Sequence, residues 1–158
     1  MTSSVLVAIR VKATPERAFQ AFTAEIGQWW RHNPELRFTP REPGVLSFDP
    51  GEGGRLIETR EGGKVFEVGR ISIWEPGRRL VFGWRPAGFT PEQHTEVEVR
   101  FEPVGDETRV SVEHRGWDTI PAEHVARHNM PEALFLRREG EWWQEMLRSL
   151  SELAQARR

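Results

Sequence analysis

The chain has 158 residues, 37% of them hydrophobic, which is enough for one domain with a buried core. Its 22 basic and 24 acidic residues leave a net charge of -2, which disfavours nucleic acid or an anionic membrane surface as a partner. Cysteine is absent, so disulfides, thiol catalysis and thiolate metal sites are excluded. We find neither a membrane-spanning apolar run nor a signal peptide, and we expect one cytoplasmic domain over residues 1–158.

The first part of the chain carries one strand pattern and two helix patterns. Apolar residues at every second position predict a strand over 5–12. A threonine–proline pair then supplies a cap and a first-turn proline, so a helix is expected over 15–23, followed by a second short helix over 24–30. Three prolines limit regular structure over 32–43.

Six further strands are indicated by apolar alternation between turn-forming residues. The last two alternate most clearly, with one dry face and one wet face, as in an antiparallel sheet that is solvated on one side. A connection over 117–131 leads to the C-terminal segment. The strands are expected over 45–48, 55–59, 65–74, 80–85, 95–102 and 108–115.

The strongest helix pattern covers 132–158, where apolar residues recur at three- and four-residue spacing. Gly140 lies inside this pattern, and close approach of the helix to the sheet is the physical reason to keep a glycine there. The element order predicts an α+β fold with an antiparallel sheet and its helices on one side. We place the function in the space between the curved sheet and this helix.

Motifs along nearly the whole chain carry a family resemblance. They are Val-x-Ile-x-Val-x-Ala-Thr-Pro-Glu-x-Ala-Phe over Val7 to Phe19, the turn from Ile73 to Leu80, Leu80-x-Phe82-x-Trp84, Thr95-x-Val97-x-Val99-x-Phe101, Val112-x-His114-x-Gly116-Trp117 and Gly140-x-Trp142-Trp143. Together they resemble the START-like, helix-grip superfamily (SRPBCC, birch-pollen-allergen-like). Within it they are similar to the branch of the activator of the ninety-kilodalton heat-shock-protein ATPase (AHSA-like).

This resemblance implies a curved antiparallel sheet of about six to seven strands wrapped round a long C-terminal helix, with two short helices after the first strand. It also implies an apolar cavity between the sheet and the long helix. The chemistry stays open, because the superfamily includes binding proteins, cyclases, hydroxylase components and partner-binding modules.

Aromatic side chains dominate the candidates for a ligand-binding wall, and they suit a flat or ring-containing molecule. Adjacent helical positions point about 100° apart, so one of the paired Trp29 and Trp30 is expected to face the cavity. Plain core packing is the alternative for most of these residues. The predicted ligand-binding set is Trp29, Trp30, Phe66, Trp74, Phe82, Trp84, Val97, Val99, Val112, His114, Trp142, Trp143 and Met146.

Three titratable residues are the catalytic candidates. The strand pattern turns His114 inward, where it could act as a hydrogen-bond donor or a general acid or base; the alternative is a histidine satisfied at the strand end near Trp117. Glu67 and Arg70 are three positions apart on one strand and so point to opposite faces. One of the two is therefore expected to point inward and to need a partner.

No metal or other cofactor is expected. His124 and His128 have ligand-like spacing, but a third ligand is missing. The leading hypothesis is a binding protein for a small hydrophobic or aromatic molecule. The alternatives are a polyketide cyclase-, aromatase- or hydrolase-like enzyme that uses the same cavity, and a stress-response or chaperone-partner module. A homodimer is compatible with the family resemblance.

Overall fold

A computed structural model describes residues 4–31, 44–85, 89–90, 93–120 and 130–156. Its main elements are seven strands and three α-helices, with short 3₁₀ turns at Glu61–Gly63 and Trp117–Thr119. The strands are β1 (Ser4–Val11), β2 (Val45–Phe48), β3 (Arg55–Thr59), β4 (Val65–Glu75), β5 (Arg79–Trp84), β6 (Thr95–Val104) and β7 (Glu107–Arg115). The helices are α1 (Pro15–Thr23), α2 (Ile26–Trp29) and α3 (Glu132–Ala156).

The strands form one antiparallel sheet in the order β1-β7-β6-β5-β4-β3-β2. The first strand therefore pairs with the last, and Val7 lies opposite Val112 in that pair. The curled sheet wraps round α3, with the two short helices beside it. This arrangement confirms the predicted α+β helix-grip fold.

The capping signal before α1 acts as expected. Thr14 Oγ1 accepts a hydrogen bond from the Arg17 amide at 3.1 Å, and Pro15 occupies the first turn. The next helix, α2, is shorter than predicted, covering only Ile26–Trp29. These helices bury their apolar face, and Trp29 Nε1 donates to the carbonyl of Ala21 at 2.9 Å.

The long helix α3 is about 37 Å from end to end at 1.5 Å per residue. Ser149 Oγ donates to the Trp29 carbonyl at 2.7 Å, and Gln144 Nε2 donates to the Ala8 carbonyl at 3.2 Å. These bonds connect α3 both to α2 and to the edge strand β1. None of the helices in the described residues has the length and apolar character to cross a membrane.

Two β-bulges interrupt the pairing of β4, and the first of them decides where Glu67 and Arg70 point. Val68 is an extra residue opposite β3, and Ser72 is an extra residue opposite β5. The bulge at Val68 lies between Glu67 and Arg70 and shifts the inward-outward alternation by one position, so the prediction that one of the two faces the core is wrong. Both lie on the outer face, where Glu67 pairs with Arg70 at 3.6 Å and with Arg55 at 3.9 Å.

Candidate functional site

Four tryptophans meet between the sheet and α3, and we call them the tryptophan cluster: Trp30, Trp84, Trp142 and Trp143. Trp30 follows α2, Trp84 ends β5, and the other two lie on α3. The ring centroids of Trp30 and Trp142 are 5.4 Å apart, and those of Trp84 and Trp143 are 5.7 Å apart. All four side chains are buried. The packing of α3 on the sheet is thus largely aromatic at this end of the core.

The structure brings most of the predicted ligand-binding residues together in the interior. Phe66 and Trp74 are only partly buried, and Trp74 packs edge-on against Phe19 at 5.0 Å. Contact of any of these side chains with a ligand stays a prediction. The buried members of the predicted set are Trp29, Trp30, Phe82, Trp84, Val97, Val99, Val112, His114, Trp142, Trp143 and Met146.

His114, at the end of β7 beside the tryptophan cluster, is fully buried in a chain of hydrogen bonds. Trp143 Nε1 donates to His114 Nδ1 at 3.2 Å, and His114 Nε2 lies 2.9 Å from Thr95 Oγ1. Thr95 Oγ1 in turn donates to the carbonyl of Trp84 at 2.8 Å. An indole N–H can only donate, so Nδ1 is the acceptor and Nε2 carries the proton. The network therefore holds a neutral imidazole in one tautomer.

Glu139 on α3 is the buried titratable residue beside His114, and the residue is only 1% exposed. Its Oε2 lies 3.7 Å from His114 Nδ1, and neither carboxyl oxygen has a hydrogen-bond partner in the described structure. Burial raises the pKa of Glu139 to about 8 and lowers the pKa of His114 to about 3. At neutral pH the two groups are therefore an uncharged acid and an uncharged base.

A second, smaller apolar cluster packs against the N-terminal part of α3. Trp117 lies between His114 and Phe135, with ring centroids 4.9 Å and 4.7 Å away. Phe89 and Ile120 complete the buried cluster. The Trp117 indole nitrogen is buried and, like Glu139, has no hydrogen-bond partner in the residues described. Two unsatisfied polar groups thus lie close to one histidine in an apolar environment.

Glu139 was absent from the sequence prediction, although a signal for it existed. One helical turn back from Trp143 along the apolar stripe lies Glu139, and a further turn back lies Phe135. All three lie on the buried face of α3. A charged residue type inside an apolar stripe at four-residue spacing is the pattern that marks this position.

The outer face of the sheet has a different character, formed by paired charges. Glu98 is buried there and accepts hydrogen bonds from Arg79, Arg100 and Arg115. Burial alone would raise the pKa of Glu98, but the three arginines outweigh it and lower that pKa to about 2. An open pocket of about 250 Å³ on this face is lined by charged residues and the exposed Leu6.

The described residues contain no group of three or more potential metal ligands. His124 and His128 lie outside the described residues.

A curved antiparallel sheet that holds a C-terminal helix against an aromatic interior defines the helix-grip class of proteins. Within that class, the chain belongs to the family described as Activator of Hsp90 ATPase homolog 1-like protein, which matches residues 12–155. No curated protein matches the chain.

Several solved structures share this fold over nearly their whole length. Protein MLL2253 from Mesorhizobium loti is 19% identical, with 98% of each chain covered and a TM-score of 0.68. The Aha1 dimer from Colwellia psychrerythraea is 21% identical, with 96% of each chain covered and a TM-score of 0.64. Protein NE0264 from Nitrosomonas europaea is 14% identical, covering 98% of this chain and 96% of that one, with a TM-score of 0.64. At these identities the likeness shows the fold alone.

Proposed function

We propose that the protein binds a small aromatic molecule between its sheet and α3, at the end where the tryptophan cluster meets His114 and Glu139. The observation that carries the proposal is the Glu139 carboxyl, which is buried without a hydrogen-bond partner in the described structure. Aromatic packing alone is ordinary core structure. An unsatisfied carboxyl beside it points to a ligand.

The buried Glu139 carboxyl has an energetic cost. A buried polar group without a partner costs about 1–3 kcal/mol, and more when the group is charged. A glutamine or leucine at position 139 would avoid ionisation inside the core. A ligand that hydrogen-bonds to Glu139 and stacks on the neighbouring rings would offset the cost of burying the carboxyl. The cavity that the helix-grip resemblance implies between the sheet and the long helix is at the same location.

The test is a screen of small aromatic compounds against the purified protein by thermal shift and tryptophan fluorescence. We expect binding compounds to raise the melting temperature and to change the fluorescence of the tryptophan cluster. In Trp142→Leu we expect the affinity to fall at least about tenfold, because a stacking surface next to Trp30 and Trp84 is lost.

Phe19→Leu is the matched control, since Phe19 is equally buried but packs against Trp74 and Phe101. This variant should lose stability and keep ligand affinity. Equal loss of affinity in both variants would show that the effect is general destabilisation. An interior that gives no response to any compound would contradict the proposal.

The enzyme alternative rested on His114 meeting Glu67 or Arg70 inside the protein. Both of those charged residues lie on the outer face. Glu139 occupies the place beside His114 instead. The geometry supports ligand binding, and we propose no catalysed reaction.

The partner-module alternative would be favoured by a large exposed apolar patch. In the described residues the exposed large apolar side chains are Leu6, Val45, Val65 and Leu134. Paired glutamates and arginines occupy the outer face of β5 to β7. This surface gives a chaperone partner no support.

A homodimer and a cytoplasmic location stay predictions. The related protein from Colwellia psychrerythraea is described as a dimer. Sedimentation of the purified chain would decide its oligomeric state.

A further inference from the structure

We propose that Glu139 and the aromatic rings around it form a binding site for an organic ammonium group, so that the ligand of this protein is a small aromatic amine. This inference rests on the proposed function and names the chemical class of its ligand. It follows from which kinds of polar group the site offers and which it lacks.

The groups facing Glu139 from its neighbours are electron-rich. His114 Nδ1 lies 3.7 Å from Glu139 Oε2 and has no proton to offer, because it accepts the Trp143 indole N–H and the imidazole proton is on Nε2, next to Thr95. His114 therefore cannot donate a hydrogen bond to the carboxyl in this tautomer. It is also the titratable group that contacts Glu139 among the described residues. In the described residues no donor reaches either carboxyl oxygen, and a cationic donor is what this carboxyl lacks.

Aromatic rings next to this carboxyl strengthen the argument. Phe135 and Trp143 lie one helical turn before and after Glu139 on the buried face of α3, and Trp117 packs against Phe135. The faces of such rings carry partial negative charge and attract ammonium groups when water is excluded. A carboxylate within an aromatic cage is a combination that recognises an amine more strongly than a neutral molecule of the same size.

Binding of an ammonium group should release a proton from Glu139, and this release can be measured. Burial keeps Glu139 protonated at pH 7 in the free protein. A cation placed against the carboxyl favours its ionised form, so the carboxylic acid and the ammonium ion combine to give an ion pair and release one proton to the buffer. A neutral ligand leaves Glu139 protonated and releases none. The proton count thus distinguishes the two kinds of ligand in the wild-type protein, without any variant.

The experiment is isothermal titration calorimetry of the whole chain at pH 7 with phenethylamine and with 2-phenylethanol, in buffers of different ionisation enthalpy. The two probes have similar size, and the alcohol keeps a hydrogen-bonding group but lacks the charge. We expect phenethylamine to bind at least about tenfold more tightly and to release about one proton per molecule bound. The alcohol should release none.

Glu139→Gln keeps the shape of the protonated side chain and removes its ability to ionise. We expect this variant to lose the preference for the amine and the proton release, while Glu145→Gln, on the exposed side of the same helix, keeps both.

The outcomes separate the two proposals. If the alcohol binds as well as the amine, or the amine binds without proton release, the ammonium site is overturned and the proposed aromatic-binding function stands. If neither these probes nor any compound of the aromatic screen binds, both proposals are overturned.

Discussion

At the scale of single residues, the His114 hydrogen bonds make Thr95 a structural partner that a methyl group cannot replace. Thr95→Val keeps nearly the same shape but leaves the His114 Nε2–H and the Trp84 carbonyl without this hydroxyl. We expect the free energy of unfolding to fall by about 1–3 kcal/mol, the cost of unsatisfied buried polar groups. Urea denaturation would measure the loss.

Thr95→Ser is the control, because it keeps the hydroxyl and removes only a methyl group. Its loss should be about 1 kcal/mol or less. If valine is tolerated better than serine, the Thr95 hydroxyl does not hold His114 in place.

Sequence reasoning at this scale succeeded for His114 and failed for Glu139. The strand alternation placed His114 on the inward face, which the structure confirms. Glutamate is so often a surface residue that one among several in a helix is taken for a solvated side chain. Only the strand order, which brings the end of β7 under the first turns of α3, shows what faces Glu139.

At the scale of elements, the strand and helix periods were predictable and the irregularities were not. The seven strands lie close to their predicted ranges. The bulges at Val68 and Ser72 depend on how β4 pairs with two neighbours, which no local pattern records. Strict alternation misses the bulge at Val68 and therefore predicts that one of Glu67 and Arg70 points inward.

Two glycines show how differently strands and helices use a missing side chain. A Cβ on Gly69 would lie 2.0 Å from the carbonyl oxygen of Gly83, so Gly69→Ala should force the β4 and β5 backbones apart and cost about 1–3 kcal/mol or more. A Cβ on Gly140 would meet Val5 at 3.5 Å, an ordinary contact. Gly140→Ala should therefore stabilise the protein by about 0.5–1 kcal/mol.

Thermal or chemical denaturation of the two variants would check both signs. If close approach of α3 to the sheet were the reason for Gly140, as the sequence predicts, Gly140→Ala would destabilise the protein. Destabilisation by Gly140→Ala would restore that explanation and contradict the contact geometry described above.

At the scale of the whole molecule, His114 and Glu139 should give the protein a stability plateau in mildly acidic solution. Burial raises the pKa of Glu139 from 4.5 to about 8, so its contribution is full below pH 4.5 and is lost as the pH rises through 8. Burial lowers the pKa of His114 from 6.5 to about 3, so its contribution is full above pH 6.5 and is lost as the pH falls through 3. Between pH 4.5 and 6.5 the two slopes cancel.

Above this plateau the free energy of unfolding should fall by about 1.4 kcal/mol per pH unit as far as about pH 8. Below it, the loss from His114 adds to that from Glu98, whose lowered pKa contributes stability only above its own titration range. Urea denaturation from pH 4 to 9 would measure the decline of the free energy of unfolding on the alkaline and the acid side of the plateau, the alkaline and the acid limb. Glu139→Gln should remove the alkaline limb and keep the acid limb, and identical profiles for this variant and the wild type would contradict the prediction.

The pairing of β1 with β7 also sets a timing problem during synthesis. β1 ends at Val11, and its partner begins only at Glu107. At about 5–20 residues per second, the nascent first strand waits about 5–20 seconds for that partner. The helix that covers the interior is made later still, since α3 starts at Glu132. The growing chain therefore exposes an apolar surface through most of its translation. The cause is the strand order and not any single side chain.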